Sequence, residues 1–351
     1  MHLNIFKAIQ NTKKRPLQSK NSNLLIFLLK TNRYFKYLCN IFLFHTTKLS
    51  VMAHKAGFVN IVGNPNVGKS TLMNALVGER ISIITSKAQT TRHRIIGIVN
   101  DTDYQIVYSD TPGVIKPNYK LQESMMGFSN SALTDADVLL YVTDVLDSTE
   151  KNAFFLEKVQ KMQDTTKIIL VINKIDLIDQ KRLEELVEFW RSELPKAEIF
   201  PLSALEKFGV EQLFARIKEL LPESPPFFDK DALTDKPERF FVNEIIREKI
   251  LLNYSKEIPY SVEVVVEEFK EEEKIIRISA VIYCERESQK GILIGKGGKA
   301  LRTVGTEARK DIETFFDKKV FLQLFVKVEK DWRNREKKLR NFGYQIEHKN
   351  E

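Results

Sequence analysis

Cysteine is almost missing from this chain. Two occur in 351 residues, Cys39 and Cys284, which excludes a disulfide framework and fits a reducing compartment. Histidine is scarce too, and His54, His93 and His348 are scattered without the short spacings of a metal site. The apolar runs near the N-terminus, such as "LLIFLL", fall far short of the roughly 20 residues that cross a bilayer. Glycine is sparse, at 14 residues, yet one G-x-x-G still arises by chance about as often as not, so context must carry any such motif. No internal repeat is visible.

Acidic residues are absent from one region altogether. Residues 1–51 hold nine Lys and Arg and no Asp or Glu, so the net charge of +8 resides there and the remainder carries 46 basic against 47 acidic residues. Three readings of this segment stay open. Lack of acids suits a targeting presequence, although two arginines and few serines are poor for one. A basic, aromatic segment also suits a membrane-surface anchor. A third reading is an upstream start codon, with translation beginning at Met52, a few residues before the first strand. Elsewhere the composition is that of an ordinary folded chain, 43% apolar and 29% charged, and the length allows two domains.

Past Gly57, apolar runs alternate with helical patterns. "FVNIVG" ends in a glycine loop. "RIIGIVN" and "YQIVYSD" are joined by a tight "DTD" link and read as an antiparallel hairpin. "VLLYVTD", "IILVIN" and "EIFPLS" are further strands, with helices expected over Lys151–Gln163, Gln180–Leu194 and Val210–Leu220. This alternation predicts a mostly parallel α/β sheet, whose ligands bind at the carboxyl ends of the strands. The proline-rich stretch beginning "LPESPP" predicts a linker over 222–238. Then comes α-β-β-α-α-β: a helix over Phe241–Leu252, strands "YSVEVVVEEF" and "KIIRISAVIY", the stretch "GILIGKGGKALR", a helix over Lys299–Phe316 and a strand "KKVFLQLFVKV".

Four polar stretches fall at strand ends of the first half. "GNPNVGKST", Gly63, Asn64, Pro65, Asn66, Val67, Gly68, Lys69, Ser70 and Thr71, fits the G-x-x-x-x-G-K-[ST] phosphate loop between a strand and a helix. Its N–H groups face phosphates, Lys69 adds a charge at the β/γ-phosphates, and Ser70 offers a hydroxyl to Mg²⁺. "DTPG" and the residue after it, Asp110, Thr111, Pro112, Gly113 and Val114, bring a carboxylate to the metal's water and a Gly113 N–H to a γ-phosphate. "NKID", Asn173, Lys174, Ile175 and Asp176, offers a carboxylate that accepts two hydrogen bonds from guanine, which adenine cannot donate. Ser203 and Ala204 of "SAL" complete the set.

Together these motifs resemble the translation-factor-type GTPases. The resemblance implies that a threonine of "AQTTRHR" closes on Mg²⁺ in the GTP state, with Thr91 favoured over Thr90. Lys69, Ser70, Thr91, Asp110 and Gly113 are then the catalytic set, and Ser70 and Thr91 the Mg²⁺ ligands. Many such GTPases carry a water-orienting Gln where Val114 stands. Val114 cannot orient water, so hydrolysis is expected to be slow or assisted. In similar GTPases a phosphate-loop asparagine helps to bind K⁺, and Asn66 holds that position.

"GKGG" looks like another phosphate loop, but Gly291 and Gly295 are one residue too close, and Gly297 stands where a hydroxyl is needed. Its context matches the GXXG loop of a KH module, which clamps a nucleic-acid backbone. Gly295, Lys296, Gly297, Gly298, Lys299 and Arg302 are the RNA-binding candidates. Ile292, Leu293 and Ile294 are expected to divide between groove wall and core. The fold class is thus an α/β P-loop GTPase domain, over 52–221, followed by an α+β type II KH domain with a basic C-terminal helix, over 239–345. The run "KDWRNREKKLRN" reads equally as a solvated face or as extra phosphate contact. Trp190 and Trp332 read as packing residues.

One GTPase domain followed by one such KH domain resembles the bacterial Era family, of the TrmE-Era-EngA type, from Met52 to about Tyr344. "GNPNVGKSTLMNAL", "QTTRHR", "DTPG", "NKID", "GKGGKALR" and "WRNREKKLRNFGY" carry the likeness. It implies a GTP hydrolase that binds 16S ribosomal RNA near its 3′ end and acts in 16S processing and 30S subunit assembly. Mg²⁺ is its cofactor, GTP and GDP its ligands, and K⁺ an additional cation. It further implies a cytoplasmic monomer with peripheral contact at the inner membrane face. Mitochondrial relatives carry presequences, so an organellar homologue is an alternative. An RNA-binding adaptor with a structural or very slow GTPase is another, and a tRNA-modification GTPase, which lacks the KH loop, a third.

Overall fold

The structure is a computed structural model and describes residues 54–146 and 153–345. The basic extension 1–51 and its three readings, Cys39, His348 and the start of the expected Lys151–Gln163 helix lie outside the described residues.

Six strands form the first sheet: β1 (Lys55–Gly63), β2 (Ile95–Asn100), β3 (Tyr104–Asp110), β4 (Val138–Asp144), β5 (Lys167–Asn173) and β6 (Glu198–Pro201), in the order β2-β3-β1-β4-β5-β6. Only β2 and β3 pair antiparallel, as the short "DTD" link dictates. β4 is buried at every position and β5 at all but its first, the pattern of strands covered on both faces. The helices are α1 (Lys69–Val77), α2 (Lys120–Thr134), α3 (Ala153–Met162), α4 (Gln180–Glu193) and α5 (Val210–Leu220). On one face α1 and α5 pack through Leu72, Met73, Leu213 and Ile217. On the other, Phe155, Val159 and Trp190 of α3 and α4 meet Leu139, Tyr141 and Leu170. Parallel strands on a two-sided core bring their carboxyl ends, and the motif loops, to one rim.

The second half runs α6 (Glu238–Asn253), β7 (Glu263–Glu271), β8 (Ile275–Cys284), α7 (Glu287–Ile294), α8 (Lys299–Phe316) and β9 (Lys319–Val328), the expected α-β-β-α-α-β order. β8 pairs antiparallel with β7 and parallel with β9. Alternate residues of β8, Ile276, Ile278, Ala280 and Ile282, face a core shared with Ile246 and Ile250 of α6 and Val304, Ala308 and Ile312 of α8.

The stretch 222–238, expected as a linker, is bonded to the first half: its last residue opens α6, and its earlier ones lie along the free edge of β2. The Ile98 N–H donates to Leu233 O at 2.8 Å, the Thr234 hydroxyl to Ile96 O at 2.6 Å and the Asn100 amide to Ala232 O at 3.0 Å. This strap covers an edge that would otherwise offer unpaired backbone. The closing basic run is not a plain helix on a solvated face. It holds a 3₁₀ turn and a short α9 (Glu336–Asn341). Trp332, Leu339 and Tyr344 are buried against Leu121, Met125 and Phe128 of α2, and the Trp332 indole N–H donates to Ser261 O at 3.1 Å. The run's charges mask two apolar anchors, with a third just beyond its end, whose partners are some 200 residues away.

Candidate nucleotide site and candidate nucleic-acid groove

β1 ends at Gly63, and the following loop turns back under the start of α1. A side chain at Gly63 would place its Cβ 2.0 Å from Val142 O, and one at Gly68 would lie 2.2 Å from the Asn173 amide, with φ of +94°. Packing therefore demands glycine at both. Lys69 is buried, its ammonium donating to Gly63 O at 3.0 Å and Asn64 O at 2.7 Å across the loop. Asn66 is exposed at the loop's crest with φ of +67°. The cavity beyond, about 520 Å³, is lined by residues that include Pro65, Asn66, Lys69, Thr91, Gly113 and Lys174.

Three oxygens converge at one end. The Ser70 hydroxyl donates to Asp110 Oδ2 at 2.7 Å and lies 2.9 Å from Thr91 Oγ1, which is 3.3 Å from the same carboxylate. Thr90 turns the other way, donating to Lys87 O at 2.6 Å. Asp110 Oδ1 is buried without a hydrogen-bond partner. Burial pushes the Asp110 carboxyl upward, opposed by Lys69 and the hydroxyls. Hard oxygen donors around an unsatisfied carboxylate fit Mg²⁺ and its waters.

At the other end Asn173 acts as a brace. Its amide donates to Val67 O at 2.8 Å, and its Oδ1 accepts the Lys174 N–H at 2.8 Å and the Ala204 N–H at 3.0 Å. One side chain thus joins the phosphate loop, "NKID" and "SAL". Lys174 donates to Asn66 O at 2.7 Å and pairs with Asp144. Asp176 is exposed in the 3₁₀ turn Ile175–Leu177, open to a base. The Ser203 hydroxyl caps its own turn by accepting the Glu206 N–H at 3.2 Å.

The "DTPG" stretch divides its labour. The Thr111 hydroxyl donates to Ile61 O at 2.8 Å, and Pro112 O accepts the Ser129 hydroxyl at 2.9 Å. Gly113 lies so close to the phosphate loop that a Cβ there would be 2.7 Å from Pro65 Cα. Val114 is 1% exposed and packs in the core beside Val62 and Met126. Its side chain is not among those lining the cavity, and its N–H donates to Gly63 O at 3.1 Å.

In the second half, α7 leads into Gly295, Lys296, Gly297 and Gly298, with φ of +70° at Gly295, +59° at Gly297 and +74° at Gly298. Added Cβ atoms at Gly297 and Gly298 would meet nothing within 4 Å, so glycine there serves backbone conformation and close approach by a ligand. Lys296, Lys299 and Arg302 are exposed around the start of α8. Beside them a groove of about 490 Å³ runs between Arg302, Gly305, Thr306 and Arg309 of α8 and Phe321, Leu322 and Leu324 of β9. Leu293 is fully buried in the core, and Ile292 is half exposed. The sequence reading missed Arg309 and Phe321. The i, i+7 spacing of Arg302 and Arg309 and the alternation of "KVFLQLFVKV" were the available signals.

A family model described as 50S ribosome-binding GTPase matches residues 58–174, and a KH domain model matches 257–333. GTPase Era of Caldanaerobacter subterraneus subsp. tengcongensis is 45% identical over 299 residues, covering 84% of this chain and all of that protein. GTPase Era of Staphylococcus haemolyticus is 44% identical over 293 residues, covering 83% and 97%. The chain belongs to the Era GTPase family. Two solved Era structures superpose with TM-scores of 0.79: a variant of the Aquifex aeolicus protein bound to GDP·AlF₄⁻, 37% identical, covering 83% of this chain, and Era with MgGDPNP and nucleotides 1506–1542 of 16S ribosomal RNA, 38% identical, covering 84%, each along its full length. Like other Era proteins, this one is a GTPase.

In this Era-family chain the two halves exchange arginines beside Thr91. Arg92, fully buried, donates to Val262 O at 2.6 Å and Pro259 O at 3.0 Å, and pairs with Glu263 at 3.1 Å. In return Arg247 of α6, itself buried against Glu244, donates to Thr90 O and, at 3.4 Å, to Gln89 O. Lys87 donates to Leu251 O and Tyr254 O. The Tyr344 hydroxyl donates to Glu263 at 2.7 Å, and its ring stacks on His93 at 4.3 Å. Burial among Phe128, Phe240 and Tyr344 pushes the His93 imidazole down to about 3, helped by Arg247, Lys236 and Arg92. Sequence reasoning missed Arg92 because arginine is rarely fully buried.

Proposed function

We propose that this chain binds and hydrolyses GTP at the loops of residues 63–71, 110–114, 173–176 and 203–204, and binds 16S ribosomal RNA near its 3′ end through the groove beside Gly295–Gly298, acting in 16S processing and 30S subunit assembly. The observation that carries the reading is the placement of Thr91 against Ser70 and Asp110 while its neighbour Arg92 is sealed in the second half. Residues 52–221 serve as the GTPase domain and 239–345 as the RNA-binding domain.

The nucleotide's phosphates lie along the N–H groups of Asn64–Thr71, with Lys69 turned from the loop carbonyls to the β/γ-phosphates. Ser70 and Thr91 would hold Mg²⁺, with Asp110 beside them to hold its water; when bound the ion would neutralise phosphate charge. The Gly113 N–H meets the γ-phosphate. Asp176 selects guanine. Val114, turned into the core, leaves the attacking water to backbone groups, and Asn66 is placed to hold K⁺ beside the phosphates. Hydrolysis should therefore be faster in KCl than in NaCl, and Asn66→Ala should abolish the difference. Equal wild-type rates in both salts would remove the K⁺ role.

Nucleotide state reaches the RNA groove through Thr91. Loss of the γ-phosphate would remove a partner of Thr91, and the neighbouring Arg92 and Arg247 bonds, which dock the second half, would carry that change. By linkage, RNA binding must then change affinity for GTP by the same factor that GTP changes affinity for RNA. The test is crosslinking to ribosomal RNA with a non-hydrolysable GTP analogue or GDP bound. Crosslinks confined to the 16S 3′ region and stronger in one state are expected; none in either state would overturn the reading. The same proposal has the protein act as a cytoplasmic monomer with peripheral contact at the inner membrane face, tested by fractionation and by mass in solution.

A further inference from the structure

The groove does not end the surface suited to RNA. β9 is an edge strand, and its inward residues line the core side while its outward ones stand on the sheet face opposite α6 and α8. The parallel register sets Phe321 beside Arg277 and Phe325 beside Val281. Phe321 is 45% and Phe325 53% exposed. Tyr283, further along, is met by Phe342 of the closing segment at 5.3 Å, so that end is occupied and the two phenylalanines are left open.

Charge on this face is unequal. The outward positions of β9 are Lys319, Phe321, Gln323, Phe325 and Lys327, all exposed, and the whole strand contains no acid. Arg277 stacks over the Phe321 ring at 5.6 Å. On the far edge, β7 exposes Glu267 and, opposite Ser279 on this face, Glu268, which pairs with Lys270 at 2.5 Å, itself opposite Arg277. A polyanion crossing the sheet would meet those glutamates, whereas one following β9 meets only cations. Phe321 also lines the groove beside α8, so the open face continues from it. The two rings, four residues apart, stand about 13 Å from one another along the strand, and exposed aromatics interleaved with cations are how sheet faces hold unpaired bases.

We propose that the outward face of β9 is a second RNA-binding surface, on which single-stranded RNA leaving the groove stacks bases on Phe321 and Phe325, with its phosphates on Lys319 and Lys327. This rests on the RNA-binding reading above but extends past the glycine loop that motivated it. Phe325 is the discriminating residue, since it lies outside the groove and its exposure makes substitution harmless to folding.

The experiment measures fluorescence anisotropy of the full chain with labelled single-stranded oligoribonucleotides from the 16S 3′ region, one of about four nucleotides, enough for the clamp alone, and one about three times longer. Phe325→Ala should weaken the longer RNA about tenfold or more, as expected for one lost stacking partner, and leave the short one unchanged. Phe325→Trp should restore the longer RNA. Lys327→Ala should lower the salt dependence of the longer RNA by about one phosphate contact. Equal binding of the longer RNA by wild type and Phe325→Ala would overturn the proposal and leave the face to a protein partner. Failure of the wild type to bind either length would instead overturn the RNA-binding function itself.

Discussion

The two glycine loops proposed to meet phosphates use the same backbone device and differ in what surrounds it. In both, glycines with positive φ precede a helix N-terminus, and a lysine follows. At Gly63 and Gly68 an added Cβ would strike neighbouring atoms at 2.0 and 2.2 Å; at Gly297 and Gly298 it would meet nothing. The first loop is walled by strand ends, with Lys69 buried among carbonyls. The second is open, with Lys296 and Lys299 exposed. An enclosed loop suits a small ligand held on all sides with a metal, and an open one suits a polymer that enters and leaves. Enclosure, more than glycine content, separates the two chemistries.

The largest effect should appear where the two halves are joined. Arg92→Ala leaves Glu263 buried without its ion-pair partner, which costs about 3–5 kcal/mol; urea unfolding should register the loss, and RNA affinity should cease to respond to nucleotide. Lys69→Ala should weaken GTP by about two orders of magnitude in a nucleotide titration, while nucleotide-free RNA binding is unchanged. Gly297→Ala should do the reverse. Its φ of +59° with free space around it limits the folding cost to about 1–2 kcal/mol, and RNA affinity should fall roughly tenfold, one 1.4 kcal/mol step, with hydrolysis intact. A fall in both activities would break the comparison.

At neutral pH the smallest effect is the slope with pH. The His93 imidazole is held down to about 3 in the folded chain, whereas an unfolded histidine titrates near 6.5. Between those values the unfolded chain binds the extra proton, so stability falls as pH drops through 6.5 toward 3, by at most about 1.4 kcal/mol per unit. Urea midpoints at stepped pH should show the slope, and His93→Phe should flatten it.

Much of this was legible locally. The helix Lys299–Phe316 coincides with its expectation because Gly298 in left-handed conformation sets its start and Asp317, also left-handed, its end. The hairpin followed from a link too short for anything else. The motif loops announced themselves through their context. What escaped notice depended on partners far along the chain. Nothing beside Arg92 says that its cation is satisfied by residues 259–263. The inward turn of Val114 follows from how closely Gly113 abuts Pro65. Trp332 was legible as a packing residue, but its partners on α2 were not, and Tyr344 follows a run whose charge dominates any local reading.

The strap along β2 fixes where motion can originate. Up to Thr234 the connector is stitched to the first sheet, and from Glu238 it is helix. Backbone freedom between the halves is confined to Asp235, Lys236 and Pro237, and proline fixes one of those dihedrals. Phe241 of α6 also packs in the core of the first half, so any turn of the second half would pivot close to this stretch, and its arc would grow with distance from it.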